Sequence, residues 1–451
     1  MSPLDETVAV FRRWLHLPDP AALYAVLGAV AANRLPGDPV WLLLVGSPSS
    51  GKSEILQAIG SLPDVYPTAT LTEGGLLSGT PKREMEKAAS GGLLRTIGEF
   101  GILLAKDFGS VLSLHHDTRS QVLAALREVY DGSWTRTLGT DGGKALHWEG
   151  KVGLIAGCTP TIDRHHAVMG AMGERFVLLR LTPTDAHDQG RKALAHAKRS
   201  TQMRAELGAA VAALFEQALD EPPEHTEADE ERLVNLAVLT VRCRSAVERD
   251  GHTREVELIP EPEAPARLAI VLDRLLAGLT AIGADHETAW RVIEATALDS
   301  IPALRRKVVI ALLDGMGGGL STSAVATLIG YPRKTTERTL DDLVAHGVVT
   351  VTRPGRGDAN TWRISDWTIE HWLAATSPDK SGRVISSTSC THTDDLSGEV
   401  GGVAGHDVAD PRQAPTESNG DRAASALGAD LDDGEPGSLV AQARREYEVG
   451  R

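Results

Sequence analysis

The sequence predicts an α/β protein: a parallel-sheet core, a helical region after it, a small helix-and-hairpin module and an acidic tail without regular structure. Three observations carry this. Short apolar runs at residues 41–45, 101–105, 151–157 and 177–181 alternate with helical stretches, the pattern of strands buried on both faces. Helical periodicity with an acidic, Pro-broken interruption marks residues 232–283. Beyond Trp372 the periodicity stops, and Gly, Ser, Asp and Thr dominate.

Composition bounds the function classes. With 451 residues the chain has room for two or three domains, and 42% hydrophobic residues with only 4% aromatics make an aliphatic core. Cys158, Cys243 and Cys390 lie far apart, without C-x-x-C or zinc spacing, which excludes a disulfide framework and suits a reducing cytosol. No segment reaches the roughly 18 uninterrupted apolar residues of a membrane span. The acidic start, Met1 to Glu6, lacks a signal peptide's basic region, so a cytoplasmic protein without membrane contact is expected. A net charge of −15 excludes a uniformly basic nucleic-acid coat. Charge is uneven, however: residues 377–451 hold 14 acidic against 7 basic side chains, and residues 303–366 hold 9 basic against 6 acidic.

Taken in order, residues 5–33 read as two short helices, with Val8, Phe11, Trp14 and Leu15 on one face and Leu23, Val26, Leu27 and Val30 on the next. Pro36-Gly37-Asp38-Pro39 breaks the pattern and closes an N-terminal helical segment, residues 1–39. Trp41-Leu42-Leu43-Leu44-Val45 is a buried strand, and Gly46-Ser47-Pro48-Ser49-Ser50-Gly51-Lys52-Ser53 leaves it for a helix through Ile59. G-x-x-x-x-G-K-S between strand and helix is the order of a nucleotide-binding P-loop. Its glycines let backbone N–H groups turn around phosphate oxygens, and the helix N-terminus adds partial positive charge. Gly46, Ser47, Ser49, Ser50, Gly51 and Glu54 would surround the phosphates, Lys52 would reach the β- and γ-phosphates, and Ser53 would ligate Mg²⁺. ATP with Mg²⁺ is the expected ligand.

Residues 68–72 read as a second strand, followed by a stretch rich in Gly, Lys and Glu. The next apolar strand ends in Lys106-Asp107, where the Asp107 carboxylate would help hold Mg²⁺. Residues 118–130 are helical, with Val122, Leu123, Leu126 and Val129 on one face. Residues 133–140 and 144–149 form the arms of a hairpin around the turn Asp141-Gly142-Gly143, with Lys144 at or beside its tip, placed to meet DNA. The strand at 151–157 ends at Cys158-Thr159-Pro160, where Thr159 is placed to touch the γ-phosphate or the attacking water. Arg175-Phe176 leads into the last core strand.

This series resembles the AAA+ ATPase core. The hairpin before the polar-ended strand looks like the pre-sensor-1 insertion of the helicase-containing branch, which includes the minichromosome-maintenance helicases. Residues 126–132, Leu-Arg-Glu-Val-Tyr-Asp-Gly, are with the hairpin also similar to ATPases of phage and mobile-element replication modules. The resemblance covers roughly residues 22–182 and implies a core at 40–182 with a helical lid in 183–300. It gives Thr159 the sensor-1 place, Arg267 a sensor-2 place, and Arg175 the place of an arginine finger reaching the neighbouring subunit's ATP. It therefore implies a ring or filament of identical subunits with Lys52, Asp107, Thr159 and Arg175 as the catalytic set. On its own residues, Arg175 also reads as an ion pair beside the buried Phe176. One departure matters: the family's metal-binding strand ends in Asp-Glu, whereas Asp107 is followed by Phe108 and Gly109. Glu99, Asp117 or Glu128 would have to replace the missing acid, so ATP binding is better supported than rapid hydrolysis.

In the C-terminal third, residues 306–313 and 324–329 read as helices, Gly330-Tyr331-Pro332 makes a tight break, and a third helix runs from Arg333 to His346. Residues 348–353 and 361–364 complete a hairpin. Residues 301–367 are thus similar to a winged helix-turn-helix. Arg333, Lys334, Thr336 and Arg338 would face DNA, and Arg353 and Arg356 on the wing would meet phosphates. Protein docking is the other use of such a module. Residues 377–451 are expected to be a disordered acidic tail, a contact for replication proteins or a solubilising segment. Two functions follow: an ATPase acting on DNA as a helicase, initiator or loader of a phage or bacterial mobile element, or a nucleotide-sensing transcription regulator with little turnover.

Overall fold

Apolar runs too short for helices and too uniformly apolar for surface strands decide the centre of the molecule. The computed structural model describes residues 2–78, 91–138, 145–166, 175–216, 226–253, 255–315, 318–353, 355 and 359–376. The chain opens with α1 (Pro3–Trp14), capped reciprocally by Ser2 and Asp5, and the largely apolar, almost fully buried α2 (Ala21–Arg34). Then come β1 (Trp41–Val45), α3 (Lys52–Ile59), β2 (Val65–Thr68), the short α4 (Glu73–Leu76) and α5 (Leu93–Ile97), and β3 (Phe100–Ala105). They are followed by α6 (Gly109–Leu112), α7 (His116–Tyr130), the hairpin β4 (Ser133–Thr137) and β5 (Ala145–Glu149), β6 (Lys151–Cys158) and β7 (Phe176–Arg180).

Five of these strands make a parallel sheet in the order β2-β3-β6-β1-β7. The fold is therefore mixed α/β around a parallel central sheet. Alternate side chains of β1 enter different cores. Leu42 and Leu44 join α2 and α3 on one face, and Trp41, Leu43 and Val45 join α7 on the other. The second strand is Val65–Thr68 rather than 68–72. It is the edge strand, where Pro67 is tolerated because no neighbour needs its missing N–H.

The helical region comprises α8 (Ala186–His196), α9 (Ser200–Glu216), α10 (Glu227–Arg244), a small hairpin of β8 (Glu248–Arg249) and β9 (Val256–Leu258), α11 (Ala266–Ala281) and α12 (His286–Asp299). It is not a separate layer. α11 lies on α2 so closely that a Cβ on Gly278 would stand 2.2 Å from the Gly28 carbonyl oxygen, and α1 and α2 share one core with α9 to α12. The N-terminal segment thus completes the core rather than preceding it.

The chain continues through α13 (Ala303–Asp314), β10 (Leu320–Ser321), α14 (Thr322–Ile329), α15 (Arg333–Ala345), β11 (Val349–Thr352), β12 (Thr361–Ile364) and α16 (Asp366–Thr376). The three strands pair antiparallel in the order β10-β12-β11 and close over Trp362, Leu340 and Val308, all fully buried. Trp362 Nε1 donates to Thr322 Oγ1 at 2.9 Å, so this large side chain is buried without an orphaned donor. All described elements belong to one compact unit. No helix among the described residues is long and apolar enough to cross a membrane. The expected tail, residues 377–451, lies outside the described residues.

Candidate functional site

The loop after β1 is held by the sheet itself. Gly46 N–H donates to the Cys158 carbonyl at 3.1 Å, continuing the β1–β6 ladder by one bond. A Cβ at Gly46 would stand 2.7 Å from Ser50 Oγ and 3.2 Å from Leu181, so glycine is what lets the loop close on itself. Ser49 has a φ of 63°, the one positive value at a non-glycine among the described residues, and Gly51 starts α3 with a φ of 88°. Such left-handed positions turn consecutive backbone N–H groups toward one side. Ser50 Oγ is buried with no hydrogen-bond partner among the described residues.

Lys52 opens α3, 8% exposed, and its Nζ donates to the carbonyls of Gly46 and Ser47 at 2.8 and 2.9 Å. Burial holds its pKa below the ordinary lysine value, opposed by the facing Cys158 and Asp107. Ser53 is exposed on the first turn of α3. Arg204 of α9 grips the Glu54 carboxylate with two bonds of 2.9 and 3.0 Å. Glu54 thus ties α3 to α9 while lining a cavity with Ser49, Ser50 and Gly51. Gln189 of α8 donates to the Ser49 carbonyl at 3.0 Å and covers the loop from outside.

Two more expected residues meet the loop at the carboxyl ends of the strands. β6 lies between β1 and β3, with Val45 opposite Cys158 and Ala105 opposite Ala156, so the loop, Asp107 and Thr159 leave adjacent strands at one level. Asp107 is exposed and its Oδ1 accepts from Gly109 N–H at 2.9 Å, while Phe108 N–H is fixed to the Gly157 carbonyl at 2.7 Å. Thr159 Oγ1 and Thr161 Oγ1 are hydrogen-bonded at 2.6 Å, either hydroxyl being able to donate. Of the acids able to replace the missing one, Glu99 precedes β3 at the opposite end of the sheet. Glu128 stands near the end of α7, whose Tyr130 packs on Trp41 at the start of β1. Asp117 alone of the three is at the loop's end, on the first turn of α7.

A cleft of about 720 Å³ opens beside the loop. Gly46, Ser47 and Ser50 form one wall, the Asp19–Ala22 stretch a second, and Arg306 and Lys307 of α13 a third. Ion pairs brace the floor. Arg180 holds Asp163 through two bonds of 2.9 and 2.8 Å, its backbone N–H donates to Asp299 at 2.7 Å, and Asp299 also pairs with Arg306. Asp299 is 3% exposed, and burial pushes its pKa up against the pull of Arg306. Sequence reasoning missed all of these residues. They lie far apart in the sequence, and only the tertiary fold brings Asp163 to the Ala303 N–H, 140 positions away and 3.0 Å distant.

Arg175 and Arg267 are elsewhere. Arg175 immediately precedes Phe176, which lies opposite Trp41 at the start of β1, so it sits at the far end of the sheet from its own loop. It is 5% exposed, with one nitrogen 2.9 and 2.8 Å from the two oxygens of Asp131 and its guanidinium 5.3 Å from the Tyr130 ring centre. This geometry is the ion pair beside Phe176 that its own residues predict. Arg267 starts α11, which runs antiparallel to α2: Gly278 lies against Gly28, and Arg274 donates to the Leu35 carbonyl. Arg267 is therefore beyond Leu35, toward the start of β1, and pairs with Glu263 at 3.3 Å. A sensor-2 role toward its own loop is corrected on that ground.

The C-terminal module presents a second set. Arg333, Lys334 and Arg338 are exposed along α15, and Arg353 after β11 lies 3.6 Å from Asp341. Thr336 is fully buried, its hydroxyl on the Pro332 carbonyl at 3.2 Å, so it belongs to the core and not to the outer face. The β8–β9 hairpin flanks this helix, because Arg249 bonds Asp342 and the Arg338 carbonyl. Lys144, Arg356 and the turn at 141–143 lie outside the described residues. No family model and no curated protein matches this chain.

Proposed function

We propose that the chain is a P-loop nucleotide-binding protein of AAA+ type that couples ATP and Mg²⁺ to DNA through a winged helix-turn-helix. The observation that carries this reading is the convergence of the Gly46–Ser53 loop, Asp107 and Thr159 at the carboxyl edge of a parallel sheet, beside a cleft of nucleotide size. Lys52 already rests on loop carbonyls, from which a phosphate would recruit it. The cleft fits the ligand: Gly46 keeps the cradle open where a Cβ would fill it, and Ser50 offers an unsatisfied hydroxyl. Ser53 and Asp107 would be the oxygen donors for Mg²⁺, which would neutralise phosphate charge when bound. Thr159 orients the γ-phosphate or the water, and Asp117 is the acid at the correct end to accept that water's proton. On α15, Arg333, Lys334 and Arg338, with Arg353 beyond β11, form the DNA face. A role as helicase, initiator or loader of a phage or mobile element, in an assembly of identical subunits, follows from the resemblance.

A second reading, a nucleotide-sensing regulator with little turnover, is favoured by one feature. The residue after Asp107 is the fully buried Phe108 instead of an acid. The test is ATP turnover of wild type and Lys52→Ala alone, with single-stranded DNA and with duplex. Turnover that single strands stimulate and Lys52→Ala abolishes supports the motor. Binding without turnover under all three conditions supports the regulator.

A further inference from the structure

We propose that Lys307 is shared between the nucleotide cleft and the DNA face, so that a bound nucleotide polyphosphate and bound DNA compete for its charge. The inference rests on the reading of the cleft and of α15 given above.

α13 stands between the two sites. On its cleft side, Arg306 and Lys307 line the same cleft as Gly46, Ser47 and Ser50. These two cations are not equivalent. Arg306 is committed to Asp299, which is buried and also holds the Arg180 N–H, so drawing Arg306 toward a phosphate would strand a buried carboxylate. Lys307 is exposed and has no carboxylate partner among the described residues. Its recorded contact lies on the other side: Nζ is 5.2 Å from the ring centre of Tyr331. Tyr331 belongs to the turn joining α14 to α15, and after Pro332 come Arg333 and Lys334 in the first turn of α15.

One ammonium therefore borders the phosphate cleft and the amino-terminal end of the helix that would meet DNA. A phosphate in the cleft draws Nζ away from the ring and neutralises it, which removes a positive charge from the approach to α15. DNA on α15 makes the same claim from the other direction. Because coupling between two binding equilibria is reciprocal, each ligand must weaken the other by one common factor. A single exposed cation–π contact sets its size at roughly two- to fivefold.

The experiment uses the full chain, a labelled mixed-sequence duplex at low salt, and a non-hydrolysable ATP analogue with Mg²⁺. The expected result is that saturating analogue weakens duplex binding by roughly two- to fivefold, and that duplex weakens analogue binding equally. In Lys307→Met, checked for folding by thermal melting, each ligand binds more weakly and the two affinities become independent. Independent affinities in the wild type, a strengthening instead of a weakening, or full coupling in Lys307→Met would each overturn the proposal. Failure of the wild type to bind the analogue, or the duplex, in the separate titrations would instead overturn the reading on which the proposal rests.

Discussion

Removing the Asp299 carboxylate tests whether the floor of the cleft is held as described. Its Oδ2 accepts the Arg180 backbone N–H at 2.7 Å, its Oδ1 pairs with Arg306, and its own carbonyl accepts from Arg180 Nε at 3.2 Å. Asp299→Ala leaves the backbone donor without its acceptor, a cost of about 1–3 kcal/mol for a buried group. It also breaks an ion pair of the kind worth about 3–5 kcal/mol when fully buried. The Arg306 side chain is 31% exposed, so water takes over part of that role and the second contribution falls to about 1–2 kcal/mol. The total is about 2–5 kcal/mol. Asp299→Asn keeps an oxygen for the Arg180 N–H and relieves a buried charge, so it should cost less, about 1–2 kcal/mol. Urea unfolding at neutral pH, with the slopes compared across wild type and both variants, measures this. Equal stability of Asp299→Ala and wild type would refute the reasoning, because it would mean neither partner depends on this carboxylate.

Three further outcomes follow from the same geometry. Lys52→Met keeps the aliphatic stem and frees two loop carbonyls that solvent can reach; stability should change by less than about 1 kcal/mol while nucleotide affinity falls by about 2–5 kcal/mol, read by calorimetry beside thermal melts. Lys151, whose Nζ donates to the Leu35 carbonyl at 2.7 Å, has a pKa lowered to about 8 by burial and the neighbouring Arg274. The unfolded chain then holds the extra proton between pH 8 and the ordinary lysine value, so stability rises with pH across that window; Lys151→Met should flatten the rise and gain up to about 2 kcal/mol at pH 7, as chemical denaturation over that pH range will show. Replacing Lys334 and Arg338 together by alanine should lower the salt slope of DNA binding by about 2, measured as affinity against salt concentration.

The legible parts of the fold were those in which local pattern and tertiary role coincide. β1 is apolar because both its faces are covered, and the Gly-rich loop must follow it for Gly46 to approach Ser50. β2 was misplaced because an edge strand with a proline and little apolar alternation leaves a weak trace. Thr336 was open to a better reading: it shares a helical face with Leu340 and Leu343, both buried, so the 3.6 period already places it inward. Arg175 and Arg267 were assigned by resemblance alone, and their distance from the loop appears only once the strand register and the α2–α11 packing are known. The Asp163–Arg180–Asp299–Arg306 lattice and Lys307 had no local signal at all. The β8–β9 hairpin was equally hidden, since its short strands are mostly exposed and carry acidic residues where alternation would be sought.

The central claim is that the loop, Ser53 and Asp107 hold a metal-bound nucleotide. Calorimetric titration of the wild-type chain with ATP, in Mg²⁺ and again in excess chelator, tests it most directly. The account predicts one nucleotide per chain, bound clearly more tightly with Mg²⁺ than without it. The absence of ATP binding in Mg²⁺, or binding that the chelator leaves unchanged, would contradict it.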